Sequence, residues 1–163
     1  TYDVEQLTTS KATGDWFERV LAHGAEPKSA SNWIMSELLP AARDRGQDLA
    51  ALPLTPAALA ELLHELDGGR LTVPSARQAC AHLLQNGGEV RAAIAALSLL
   101  KIADPAVLQP LVDQAIAALP EAAAAVRAGK ERALDALKGH VMRATRGKAD
   151  PLLLENLLRT ALR

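Results

Sequence analysis

Aromatic residues are scarce in this sequence. Tyr2, Trp16, Phe17 and Trp33 are the whole complement, and none lies beyond residue 33. Cysteine is scarcer still: Cys80 alone excludes an internal disulfide and a cysteine-built zinc site, and fits a reducing, cytoplasmic setting. It shares helical spacing with Val73, Ala76 and Leu84, so it reads as a small core hydrophobe. No apolar run approaches the roughly twenty residues a bilayer requires, which argues against a membrane span. A charged start followed by an apolar h-region is also lacking, so no signal peptide is expected. The first residues are Thr1-Tyr2 rather than methionine, as expected of a fragment or a cut product. Period-two alternation is missing throughout, which excludes a sheet-based fold.

Catalytic signatures are missing too. The four histidines, His23, His64, His82 and His140, never fall at HxxxH or HExxH spacing, so no metal site is assigned. His64 and His82 could meet across the helix pair around the Gly-Gly turn, but a surface pair is the better reading. No GxSxG, phosphate loop or GxGxxG occurs. Glu61 and Glu65, one turn apart, read as solvated carboxylates. No catalytic residue and no cofactor is assigned to these residues.

What remains is rich in alanine and leucine, with 49% hydrophobic residues over 163 positions. That composition favours helices. The reading is all-α, two small helical domains over residues 1–103 and 104–163, with the boundary near "LKIADP". Helices are expected from about Ser10 to His23, closed by Gly24, and from Lys28 or Ser29 until Pro40 kinks or shortens the second. Thr55 and Pro56 restart helix as N-cap and N1. Further helices cover about Pro74 to Gln85 and the Val90–Leu97 region. Asp104 and Pro105 open the next, where Pro110 predicts a bend or a later start. "PEAAAAVRAGK" ends at Gly129. Lys130 to about Thr145 forms a basic helix, and Asp150 and Pro151 open the last. Residues 56–66 and 74–85 could imitate a helix-turn-helix, but their connection is long and the region acidic, which opposes duplex phosphate.

Charge is divided unevenly. Residues 1–126 carry nine Lys/Arg against fifteen Asp/Glu, whereas residues 127–163 carry nine against four. Such asymmetry points to an anionic partner. Projected as a helix, residues 130–146 place Leu134, Leu137, Val141 and Ala144 on one side and Arg132, Gly139, Arg143 and Arg146 on the other. Glycine costs about 1 kcal/mol in a helix interior, and close approach by another backbone is one reason to accept it. Arginine donates two parallel hydrogen bonds to phosphate. Lys148 lies beside the start of the last helix, whose free N–H groups favour anions. The competing reading is a wet face whose cations offset the helix macrodipole. The basic segment holds no aromatic for stacking, so any RNA would be read by backbone and shape.

The strings "TSKATGDWFERVL" (9–21), "SASNWIMSELL" (29–39), "PLTPAALAELL" (53–63) and "RAGKERALDALKGHVMRATRGKADP" (127–151) together resemble the C-terminal region of the GatB family of aspartyl/glutamyl-tRNA(Asn/Gln) amidotransferases, ending in a YqeY-like helical tail. The family's enzyme amidates Glu-tRNA(Gln) or Asp-tRNA(Asn), using ATP, Mg and glutamine-derived ammonia. The resemblance implies a module holding the outer corner of tRNA, without catalysis of its own. It further implies that subunits A and C associate through an N-terminal part absent here. Lys130, Gly139, Arg143, Arg146, Gly147 and Lys148 match the tail motif. Arg132 comes from the helix projection, and Lys138 opens the basic run. Departures are His140 where glutamine is usual, Asp150 for asparagine, Val126 for an aromatic, and Thr72-Val73-Pro74 for a Ser-Gly-Lys turn. A helical protein–protein adaptor or a stand-alone YqeY-like protein are the alternative readings.

Overall fold

The computed structural model describes residues 11–163, so Tyr2 and the expected helix start at Ser10 lie outside the described residues. Among the described residues the fold is all-α, and the lone extended pairing is a parallel bridge between Ile102 and Ala149. The chain divides into two compact units, one ending at Leu99 and the other spanning Leu100–Arg163. Ile102 accounts for the position of that division. Its amide donates to the Lys148 carbonyl at 2.8 Å and its carbonyl accepts from the Asp150 amide at 2.9 Å, so residues 100–103 are pinned to the second unit.

The first unit begins with α1 (Lys11–Ala22), which buries Trp16 and Val20 and is closed by Gly24 at φ +87°. Glu26 caps α2 (Pro27–Trp33) by accepting from the Ser29 amide at 2.7 Å. Pro40 does not end this helix. The chain widens into a π turn, Ile34–Leu38, in which the Leu39 amide reaches back to the Ile34 carbonyl, and then continues as α3 (Leu39–Asp44). Proline supplies no amide and crowds the carbonyl four residues earlier, and a wider turn just upstream relieves both demands. Ala30, Ile34, Leu38 and Ala42 stay buried along the whole segment. A 3₁₀ turn (Leu49–Ala51) leads to α4 (Pro56–Asp67), whose cap is Thr55, accepting from the Ala58 amide at 3.1 Å. Thr72 caps α5 (Val73–Asn86), and α6 (Val90–Ala96) completes the unit.

Several sequence expectations are corrected here. Glu65 is buried, not solvated. Arg70 Nη1 donates to its Oε1 at 3.3 Å and sits 3.2 Å from Oε2, angled so that Oε2 accepts no hydrogen bond. Glu61 pairs with Arg91 at 3.4 Å. Val73 is exposed rather than packed with Cys80. Cys80 itself is buried, and desolvation pushes its thiol up to about 12, with the Glu37 carboxylate adding to the effect. His64 and His82 lie at the surface as expected and take separate partners: His64 Nε2 lies 2.9 Å from the Gly24 carbonyl, and His82 bonds Asn86.

In the second unit, Asp104 caps α7 (Pro105–Ala118) by accepting from the Ala106 amide at 2.9 Å. This helix starts at Pro105 and runs through Pro110, so the later start is not observed. α8 (Pro120–Arg127), α9 (Ala133–Ala144) and α10 (Pro151–Ala161) follow. They enclose a core that includes Leu108, Val112, Leu134, Leu137, Val141, Leu154 and Leu158. Burying each such side chain is worth about 1.5–3 kcal/mol, so Leu134, Leu137 and Val141 fix α9 in one rotational setting. That setting decides which residues α9 turns outward.

Candidate nucleic-acid interface

The basic helix is shorter at both ends than its periodicity predicts. Gly129, at φ +85°, ends α8, and the Lys130 amide donates back to the Ala125 carbonyl at 2.9 Å. That six-residue closure stops a helix and starts a turn. Lys130 and Arg132 therefore lie in the turn before α9, with Arg132 at its N-cap position. At the other end, the Gly147 amide donates to the Met142 carbonyl at 2.7 Å. Arg146 sits inside that closure at φ +52°, outside the helix. The projected stripe of four residues thus separates. Gly139 and Arg143 remain together on α9, whereas Arg132 and Arg146 flank its two ends. Ala144, expected in the core, is exposed.

Gly139 and Arg143 are in contact. A Cβ built at Gly139 would lie 3.5 Å from Arg143 Nη1, an ordinary van der Waals distance, and would meet no other side chain within 4 Å. Nothing in the fold therefore demands glycine at this position. Arg143 is exposed and has no carboxylate within ion-pair distance among the described residues. Ala136, one turn earlier, is also exposed. Its i, i+3 relation to Gly139 extends the bare strip, and that spacing is visible in the sequence.

Lys138 is already engaged within the second unit. Its ammonium donates to Glu155 Oε2 at 2.9 Å, so its charge is spent on α10. Glu155 also accepts from Arg159 at 3.0 Å, and Arg159 forks onto Glu131 at 2.8 and 3.2 Å. Arg159 holds the Glu131 carboxyl below the ordinary carboxylate range, and Lys138 followed by Arg159 does the same for Glu155. The Arg159 guanidinium is raised in turn, first by Glu131 and then by Glu155. These pairings cross between elements far apart in sequence, and no local spacing reveals them.

The anion site expected at the start of α10 is already engaged as well. Asp150 Oδ1 accepts from the Leu152 and Leu153 amides, each at 3.0 Å, and Oδ2 pairs with Lys101 at 2.8 Å. The Leu153 amide, with Lys101, lowers the Asp150 carboxyl. This helix N-terminus already holds its own carboxylate. Thr145, which no motif singles out, fixes the turn beside it. Its buried hydroxyl donates to the Val141 carbonyl at 2.9 Å and accepts from the Ala149 amide at 3.3 Å. Lys148 is half-buried beside a cleft of about 250 Å³ that Ile102, Leu111, Thr145 and Arg146 also line.

Among the described residues no group of three or more His, Cys, Asp or Glu side chains could hold a metal ion. No helix among them is long and apolar enough to cross a membrane. What the second unit presents is a cationic surface with a bare helical strip in its middle. The family comparisons agree with the motif strings that run through it. The GatB domain model matches residues 15–162. The GatB subunit of the aspartyl/glutamyl-tRNA(Asn/Gln) amidotransferase of Streptococcus equi subsp. zooepidemicus is 36% identical over 157 residues, covering 96% of this chain and 33% of that protein. The corresponding subunit from Streptococcus mutans is 35% identical over 161 residues, covering 99% of this chain and 34% of its own length. The chain spans about a third of these curated relatives, and with the family match extending across both helical units, it belongs to the GatB domain family.

Proposed function

We propose that this chain is a tRNA-positioning module of an amidotransferase GatB subunit. It would act in the ATP-dependent, glutamine-using conversion of Glu-tRNA(Gln) or Asp-tRNA(Asn) to the amidated form. The name borne by its relatives supplies the reaction class. The observation that carries the binding role is a pair of residues poorly suited to local stability. Glycine stands at position 139, where an exposed helix favours alanine. Arginine stands at 146 with φ +52°, where glycine is the least strained residue. Both choices weaken the fold, and both suit a sugar-phosphate strand: one lets a backbone come close, the other supplies a guanidinium.

Arg143 lies over Gly139 and is the nearest phosphate ligand to the bare strip. With no aromatic in the second unit, contacts go to backbone and shape, not to unstacked bases. Activation chemistry, with its ATP and Mg, belongs to the portion of the relatives that this chain does not span, as does docking of subunits A and C. The acidic first unit then serves as a spacer, in a cytoplasmic complex. The test is a hydroxyl-radical footprint of intact tRNA(Gln) or tRNA(Asn) with and without the chain. Protection of riboses at the outer corner of the L supports the reading. A tRNA cleaved identically in both samples, at protein concentrations well above micromolar, sinks it.

A further inference from the structure

The cations of the second unit gather at the two ends of α9, and between them the charge is compensated. In the middle, Lys138 is committed to Glu155 and Arg159 to Glu131 and Glu155. Arg143, Arg146 and Lys148 stand at the C-terminal end. At the N-terminal end stand Arg127, the last residue of α8, with Lys130 and Arg132 in the turn and Arg163 just past α10. All four are exposed, and none has a carboxylate within ion-pair distance among the described residues. The pairs Lys138–Glu155 and Glu131–Arg159 show that α10 runs antiparallel to α9, which brings Arg163 back beside this end.

A cleft of about 470 Å³ opens there, lined by Val126, Arg127, Glu131, Arg159, Leu162 and Arg163. Its one side-chain carboxylate is already answered. Arg159 Nη1 donates to Glu131 Oε1 and Nη2 to Oε2, so both oxygens are engaged. Arg127 and Arg163 also line the cleft, and neither side chain has a carboxylate within ion-pair distance among the described residues.

We infer that this cleft is a second phosphate-binding pole, in which Arg127 and Arg163 grip the backbone of the same RNA whose other contact is at Arg143 and Arg146. The inference rests on the RNA-binding reading above and extends it from one patch to two. The helix between the two ends, α9, has 12 residues, about 18 Å along its axis, so the two poles meet different phosphates. The strip between them, Ala136 and Gly139, carries no side chain large enough to hold a strand away. Asp135 is exposed one helical turn before Gly139, so a strand crossing the strip has to pass on the Ala136 side, away from that carboxylate.

The experiment is filter binding of a tRNA transcript to the 163-residue chain over a range of salt concentrations. The variants are Arg127→Gln/Arg163→Gln, Arg143→Gln/Arg146→Gln, all four together, and Arg19→Gln/Arg45→Gln as a charge-matched control in the first unit. Each neutralised phosphate contributes about 0.9 to the slope of log K against log salt, so each pole variant should lower it by about 1.8. Sites more than about 10 Å apart act independently, so the fourfold variant should lose about 3.6 and the control nothing. A wild-type slope in the Arg127/Arg163 variant, with the Arg143/Arg146 variant impaired, overturns the second pole and leaves the RNA reading standing. Equal loss in the control reduces the effect to net charge and also overturns it. Absence of salt-dependent tRNA binding in the wild type removes the RNA reading itself. Loss of poly-L-glutamate binding with tRNA binding retained makes the cleft a protein-docking surface, against the proposal.

Discussion

Replacing Gly139 with alanine separates stability from binding. Position 139 is inside α9, and the new methyl would meet only Arg143 Nη1, at 3.5 Å. No clash offsets the gain in helix propensity, which is about 1 kcal/mol for glycine to alanine. The second unit is small, Leu100–Arg163, and in a domain of that size 1 kcal/mol corresponds to about 4–8 °C in Tm. The aromatic distribution dictates the assay. Both tryptophans precede residue 34, so their fluorescence reports the first unit only. Amide hydrogen exchange of α9 reads the second, and 1 kcal/mol slows exchange about fivefold. If a nucleic-acid backbone approaches at Gly139, the same variant binds tRNA more weakly while its α9 amides exchange more slowly. A stabilised variant with unchanged tRNA affinity refutes the close-approach argument. A destabilised variant refutes the packing argument.

Three further outcomes follow from the pairings described. Arg159→Ala should return the Glu131 carboxyl to its ordinary range, read by carboxyl NMR chemical shifts; because the folded-state value is depressed, any stability that the pair contributes is present above the unfolded value of 4.5 and is lost as pH falls through the folded one. Asp150→Ala should cost about 1 kcal/mol in denaturant unfolding through loss of the α10 cap, and Asp150→Asn less, since asparagine caps as well and only the Lys101 pairing disappears. Cys80 should resist iodoacetamide at pH 8 in the native chain and react on unfolding, since its thiol is buried and titrates near 12, and Cys80→Ser should cost about 1–3 kcal/mol by burying a hydroxyl without a partner.

Local signals are legible in the sequence and long-range ones are not. The Thr55-Pro56, Asp104-Pro105 and Asp150-Pro151 pairs each announce a helix start, because cap and N1 residue act within three positions. The apolar face of α9 is equally plain from Leu134, Leu137 and Val141. Its ends are not, because helical projection has no term for backbone reversal. Gly129 closes one helix and Arg146 adopts a left-handed conformation that its residue type disfavours. Lys138 reads as an available cation because its partner lies seventeen residues on, and Glu65 as solvated because burial of α4 depends on packing rather than on spacing. The cap at Asp150 is visible from its place before Pro151, but Lys101, which completes it, is not.

The π turn at Ile34–Leu38 has a consequence for chain length. Ala30, Ile34, Leu38 and Ala42 are buried at strict four-residue intervals. Twelve residues exceed three α-helical turns, about 10.8 residues, by roughly one. The wide turn absorbs that surplus residue. A regular helix over the same twelve residues would swing Ala42 about 120° away from the interior, whereas deleting one residue would restore a regular helix of eleven, about 1100°, with Ala42 within about 20° of the same face. Indel tolerance there is therefore governed by the core: the segment can lose its surplus residue and keep the buried face, while a further insertion or deletion turns that face outward.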